Sequence, residues 1–238
     1  MELSIVVPVY NEEQSIENLI DEITNSIKDI NYEILVVDDH SRDKTVSVLK
    51  KIQTHNKRLR IIKHEKNYGQ SFAVRSGVKS SKSSWIATLD GDGQNDPADI
   101  PELYLALIQQ NSKNNNVLVA GHRVHRKDSI LKKISSKYAN RIRSNLLKDE
   151  VPDTGCGLKL FSKEFFLELP SFNHMHRYIP ALYISRGGKV LSLEVNHRPR
   201  EKGNSKYGFN NRFWVGIADL LGVRWLQKRS KEIIYKEI

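Results

Sequence analysis

The stretch Trp85–Pro97, WIATLDGDGQNDP, passes from an apolar run straight into acids. Trp85–Leu89 has the length and composition of a buried strand, so DGDGQNDP begins where that strand ends. Asp96 before Pro97 marks a helix start, with Asp96 as N-cap and Pro97 in the first helical position. That accounts for the end of the stretch and leaves Asp90 and Asp92 without a structural purpose. A calcium loop of EF-hand type starting at Asp90 needs glycine at its sixth position and glutamate at its twelfth, where this chain has Asn95 and Pro101. Two carboxylates at i, i+2 with the neutral oxygen of Gln94 instead suit a hard divalent cation. Such an ion completes its shell with substrate phosphate and water. Gly91 and Gly93 remove side chains there, permitting unusual backbone angles and close ligand approach.

Outward from this stretch, Leu3–Val9, Glu33–Val37, Arg60–Lys63 and Val117–Ala120 are further short β-branched runs. Between the first two, Ile16, Leu19, Ile20, Ile23, Ile27 and Ile30 recur at helical spacing and form one stripe. Further helices are expected at Asp43–Thr54, Gln70–Ser80, Pro97–Gln110 and Ser129–Leu147. The alternation predicts a mostly parallel sheet with helices on both faces. In such folds the ligand crevice lies at the carboxyl ends of the strands. Those ends read Tyr10-Asn11-Glu12, Asp38-Asp39 and Asp90-Gly91-Asp92. Acids crowd one edge, and their repulsion is costly without a cation. The first strand runs into VYNEEQ, not a glycine-rich dinucleotide cradle, and no Walker loop is present.

The chain has 238 residues, 39% hydrophobic and 28% charged, with a formal charge of +10. It is long enough for a sizeable core and too apolar for disorder. A single cysteine, Cys156, excludes an intramolecular disulfide, fits a reducing compartment and reads as inert packing. No leader peptide and no apolar run of membrane-spanning length is expected. The charge is segregated: residues 122–145, 196–212 and 224–238 carry +7, +4 and +3, leaving the remainder at −4. A localised anion site follows, not general stickiness. The apolar tail Phe213–Leu226 spreads its large side chains around a helix. Core packing, a partner, and a membrane interface with Lys228, Arg229 and Lys231 at headgroup level all stay open.

VPVYNE (Val7–Glu12), VVDDHSRDKT (Val36–Thr45), NYGQSFAVRSG (Asn67–Gly77) and DGDGQNDP together resemble family 2 glycosyltransferases of the GT-A fold. GHR (Gly121–Arg123), DTGCGLKLF (Asp153–Phe161) and HRPREKGNSKYG (His197–Gly208) narrow the likeness to the polyprenyl-phosphate branch, which includes dolichyl-phosphate mannose synthases and bacterial undecaprenyl-phosphate glycosyltransferases. The resemblance implies a catalytic domain over residues 1–210, with a basic helical extension at 211–238. It implies a nucleoside pocket lined by Pro8, Tyr10 and Glu12, with Asp39 near the base or ribose and Asn67 and Gly69 on the same side. Asp90, Gly91, Asp92 and Gln94 would meet the diphosphate. Asp90, Asp92 and Gln94 would serve the metal, Asp92 most directly. Arg123, Arg200, Ser205 and Lys206 would clamp the acceptor phosphate and the departing diphosphate.

The implied activity is inverting transfer of a sugar from a UDP- or GDP-sugar to a polyprenyl phosphate, with Mg²⁺ or Mn²⁺, in cell envelope glycan biosynthesis. A lipid monophosphate is already an anion at neutral pH, so the demand is for aligned cations. An acceptor hydroxyl would need a base, for which Asp153 is the candidate. Many relatives carry transmembrane helices after this domain. The expectation here is therefore a cytoplasmic enzyme peripheral to the cytoplasmic face, held by an anionic membrane surface or a membrane protein. A nucleic-acid-binding role on the basic second half lacks any recognised module, and the acidic edge repels phosphate without metal. His122/His125 and His174/His176 are weak candidates for zinc.

Overall fold

Side-chain alternation along β1 (Leu3–Val9) decides how the sheet is covered. Leu3, Ile5, Val7 and Val9 point to one face and Val6 to the other, following the two-residue strand period. In β2 (Tyr32–Asp38), Ile34 and Val36 oppose Leu35 and Val37. Both faces are apolar, so both must be covered by helices. The structure, a computed structural model, describes residues 1–110, 116–124, 140, 142–149, 151–199 and 209–229, the last stretch as backbone alone up to 214.

The remaining strands are β3 (Leu59–Lys63), β4 (Trp85–Thr88), β5 (Val117–Arg123), β6 (Lys159–Ser162) and β7 (Lys189–Val195). The helices are α1 (Ile16–Ser26), α2 (Thr45–His55), α3 (Gln70–Ser80), α4 (Ile100–Gln110), α5 (Lys163–Glu168), α6 (Ile179–Ser185) and α7 (Phe209–Arg229). The apolar stripes of α1, α2 and α4 pack on the first face of the sheet. α3, α5, α6 and Val223 of α7 pack on the second.

The sheet order is β3-β2-β1-β4-β6-β5-β7, with every strand parallel except β6. The chain winds outward from β1 to β3 and then returns to lay β4 on the other side of β1. That reversal opens a crevice beyond the carboxyl ends of β1 and β4, the place where open α/β sheets take ligands.

Five strands and the expected helices that lie among the described residues are present, with shifted ends. α1 stops at Ser26 because Ile27 turns extended, though Ile27 stays buried and Ile30 still packs on the core. Asp96 caps as expected, its Oδ1 accepting the Ala98 N–H at 3.0 Å, but Pro97–Asp99 form a 3₁₀ turn before α4. Of the helix expected at Ser129–Leu147, residues 142–147 and Asn140 are helical, and the rest lies outside the described residues. β6 and β7 give no clear sequence signal. β6 has four residues, and β7 is an edge strand whose side chains are mostly half-buried, which blurs its alternation.

Along α7 the low amphipathicity of the sequence resolves into two opposed apolar sides. Val223 and Leu220 face the core, Tyr178 Oη donates to the Gly216 carbonyl at 3.3 Å, and Gln227 Nε2 donates to the Leu147 carbonyl at 3.0 Å. On the opposite side Leu221 and Trp225 are each 59% exposed. Among the described residues no helix is long and apolar enough to cross a membrane.

Candidate functional site

The loops after β1 and β2 are stitched together by the polar residues that the strands end on. Asp39 N–H donates to the Val9 carbonyl at 2.8 Å, Asn11 Oδ1 accepts the Arg42 N–H at 2.7 Å, and Thr45 Oγ1 accepts the Glu12 N–H at 2.9 Å. These bonds tie the Tyr10–Glu12 segment to the loop that follows β2, and a further contact links it to the loop that follows β4. There the Ser15 hydroxyl lies 3.0 Å from Glu12 Oε2 and 3.1 Å from the Gly91 carbonyl.

A cavity of about 460 Å³ opens between these loops, the start of α3 and the segment leading into β6. Pro8, Tyr10, Glu12, Asp39, Asn67 and Gly69 line one side of it, and Asp90, Gly91, Asp92 and Gln94 another. All ten residues named from the sequence for the nucleotide and metal side thus converge on one space.

Asp39 is deeply buried and already engaged. Its Oδ1 accepts the Tyr68 N–H at 2.9 Å and lies 2.7 Å from His64 Nδ1, and its Oδ2 accepts the Gly69 N–H at 2.7 Å. The Asn67 amide reaches the Asp39 carbonyl at 3.0 Å. The carboxylate therefore shapes the 64–69 loop as well as facing the cavity.

Asp90 is held well above the usual carboxylate range. Burial, then the neighbouring Asp92, push its carboxyl up to about 6. Gln70 Nε2 donates to its Oδ1 at 2.8 Å. Among the described residues no ion pair reaches Asp90 or Asp92. The two glycines of DGDG divide their work. Gly93 takes a φ of +73°, whereas a Cβ at Gly91 would collide with Val9 of β1.

The donor set suits a hard divalent ion that draws most of its shell from elsewhere. It offers two carboxylates that form no ion pair among the described residues and the Gln94 side chain, and no group of three or more acids, histidines or cysteines able to hold a metal occurs among the described residues.

Opposite stand residues that the sequence reading did not assign. Lys159 is buried and lines the cavity, its ammonium bonding the Cys156 carbonyl, and burial pushes its pKa down. A Cβ at Gly157 would strike the Asp90 carboxylate, so glycine there is what lets this wall close on the acid. His176 lines the same wall. Burial pulls its pKa down to about 3, keeping it neutral, and its Nδ1 lies 2.8 Å from Ser71 Oγ. Its neighbour His174 turns away to Asp219 of α7 at 2.9 Å, so this histidine pair is split. His122 sits on β5, and His125 lies outside the described residues. Gln70, Gly157 and Lys159 all fall inside quoted motifs. Their side-chain chemistry alone gave no reason to prefer them to their neighbours.

Arg123 and Asp153 form a pair of their own. Arg123 Nε and Nη2 donate to Asp153 Oδ2 and Oδ1 at 2.7 and 2.9 Å, a planar bidentate clamp that leaves both residues nearly buried. Neither is in the cavity wall, though the intervening Gly155 is. Burial pushes the Cys156 thiol up, so it stays protonated. Arg200, Ser205 and Lys206 lie outside the described residues.

Comparison with known proteins fits this geometry. The model of the family described as Glycosyl transferase family 2 matches residues 4–169, which include every strand end of the cleft. The chain belongs to glycosyl transferase family 2. This family 2 chain is 35% identical over 234 residues to dodecaprenyl-phosphate galacturonate synthase of Rhizobium johnstonii, covering 96% of the chain and 68% of that protein. It is 31% identical over 209 residues to undecaprenyl-phosphate 4-deoxy-4-formamido-L-arabinose transferase of Aeromonas hydrophila, covering 87% of the chain and 63% of that protein. The chain thus spans about two thirds of the length of these curated relatives. Glucosyl-3-phosphoglycerate synthase of Mycobacterium tuberculosis, solved with Mn²⁺, uridine diphosphate and phosphoglyceric acid, superposes with a TM-score of 0.67 at 15% identity, over 97% of this chain and 80% of that one. That likeness establishes a shared GT-A-like fold.

Proposed function

We propose that this family 2 protein transfers a single sugar from a nucleotide-sugar to a polyprenyl phosphate, with inversion at the anomeric carbon. The observation that carries the reading is the convergence of Glu12, Asp39, Asp90 and Asp92 from three strand ends on one cavity, in a chain 35% identical to a dodecaprenyl-phosphate galacturonate synthase. In this reading Pro8, Tyr10, Glu12, Asn67 and Gly69 hold the nucleoside of a UDP- or GDP-sugar. Asp90, Asp92 and Gln94 hold Mg²⁺ or Mn²⁺ at the diphosphate. The bound metal neutralises charge on the departing nucleoside diphosphate.

Arg123, Arg200, Ser205 and Lys206 orient the acceptor phosphate, whose oxygen attacks without the help of a base. That matches the position of Asp153: both its oxygens are taken by Arg123, leaving it poorly placed to accept a proton from a hydroxyl. Residues 1–210 form the catalytic domain. Within the 211–238 extension, α7 seats Val223 in the core and turns Leu221 and Trp225 outward, with Lys228 and Arg229 in its last turn, which supports peripheral attachment at the cytoplasmic face of an anionic membrane. Incubating the full chain with undecaprenyl phosphate, MnCl₂ and a panel of UDP- and GDP-sugars should yield a sugar-phospholipid detectable by mass spectrometry. No product from any donor overturns the reading.

A further inference from the structure

Residues 196–199 lie outside the main cavity but are tied to its metal-side loop at every step. The Asn196 N–H donates to Asp99 Oδ2 at 2.8 Å, and His197 forms a β-bridge with Asn95. The Arg198 N–H donates to the Gln94 carbonyl at 3.0 Å, while the Gln94 amide reaches back to the Arg198 carbonyl at 3.5 Å. Gln94 N–H in turn donates to Asp92 Oδ1 at 3.1 Å. A short relay therefore runs from the proposed metal carboxylate to a segment that ends one residue before Arg200.

The Arg198 side chain closes this relay. Its Nη2 donates to Asp96 Oδ1 at 2.6 Å and its Nη1 to Glu22 Oε2 of α1 at 2.8 Å. One planar fork thus bridges two carboxylates on different elements, which a lysine point charge cannot reproduce. The cation also sits where acids crowd: Asp99 is pushed up by burial and by Asp96 and Glu102.

We propose that Arg198 is a positioning residue that fastens residues 196–199, the segment leading into the proposed acceptor residues, to the Asp90–Asp96 loop. This rests on the function proposed above. Its ion pairs are over one-third exposed on the arginine side and screened by solvent, so removing them leaves the fold intact. The loss falls on alignment, where a displacement of about 1 Å costs about 10²-fold in turnover.

The test uses the full chain with Arg198→Met and Arg198→Lys. Calorimetry with UDP or GDP plus MnCl₂ reads donor affinity, turnover with undecaprenyl phosphate reads alignment, and hydrogen–deuterium exchange over residues 94–99 and 196–208 reads the fastening. Arg198→Met should lower kcat about 10²-fold with nucleotide affinity within about twofold, and should speed exchange over 196–208. Arg198→Lys should recover only part of the turnover. Unchanged exchange over 196–208 overturns the proposal, as does a parallel loss of nucleotide affinity and turnover, since Arg198 would then serve the donor loop alone. If the unaltered protein makes no sugar-lipid, the functional reading fails instead, and exchange by itself decides the fastening.

Discussion

Two acids at opposite ends of the sheet, Glu33 and Asp90, meet opposite fates. Glu33, at the start of β2, accepts from the Ser4 hydroxyl and the Lys82 N–H at 2.6 Å each and from Arg60 Nη1 at 2.7 Å. Burial opposes its charge, but these bonds win and hold its pKa below the usual glutamate value. Asp90, just beyond β4, has a single side-chain amide donor and a second acid beside it, and burial and Asp92 push it up to about 6 against the pull of Lys159 and Arg123. The same sheet holds one acid in its charged form and raises the other above its ordinary range. Raised carboxylates in a cleft are candidates for ligand binding, and the contrast singles out Asp90 as the one that the proposed function uses.

The comparison can be broken in four ways, taken from the largest expected effect. Asp92→Ala should lower sugar transfer by about 10³-fold while thermal unfolding stays close to that of the unaltered protein, because its charge serves the reaction and not the fold. Initial rates at saturating MnCl₂ check this; residual activity above a tenth would place the metal elsewhere. Glu33→Ala should do the reverse. Loss of the buried acceptor strands Ser4 Oγ and the Lys82 N–H, costing about 3 kcal/mol in urea unfolding, with kcat of the folded fraction unchanged.

Asp90→Asn should stabilise the metal-free protein, with a pH signature whose sign is fixed. In the unfolded chain Asp90 ionises near 3.8 and in the folded chain near 6. Below about 4 both forms are protonated and the substitution is neutral. Between about 4 and 6 the unfolded state loses its proton first, so the unaltered protein loses stability as pH rises. Above 6 the deficit is complete, on the order of 3 kcal/mol, and Asp90→Asn recovers much of it. Melting curves in EDTA from pH 4 to 8 check this; a gain that is flat across pH would mean Asp90 is not strained. The smallest effect is expected at α7. Leu221→Ser with Trp225→Ser should lower pelleting with anionic vesicles about threefold and leave stability unchanged, since both side chains point away from the core. Deleting the whole tail would be a poorer test, because Val223 is buried in the core.

The sequence by itself determined the parts that depend on near neighbours. Short β-branched runs marked β1 to β5, and apolar residues at helical spacing marked α1. The positions of Glu12, Asp39, Asp90 and Asp92 at strand ends then assembled one wall of the cleft, because parallel strands present their carboxyl ends together. Tertiary structure alone decided the other wall. Antiparallel β6 inserts between β4 and β5, and with it come Gly157 against Asp90 and the buried ammonium of Lys159. Pairings such as Arg123 with Asp153, and Arg198 with both Glu22 and Asp96, join residues up to 176 positions apart. Local pattern carries no record of such contacts, because a side chain's partner is set by where distant strands pair and not by its neighbours in the chain.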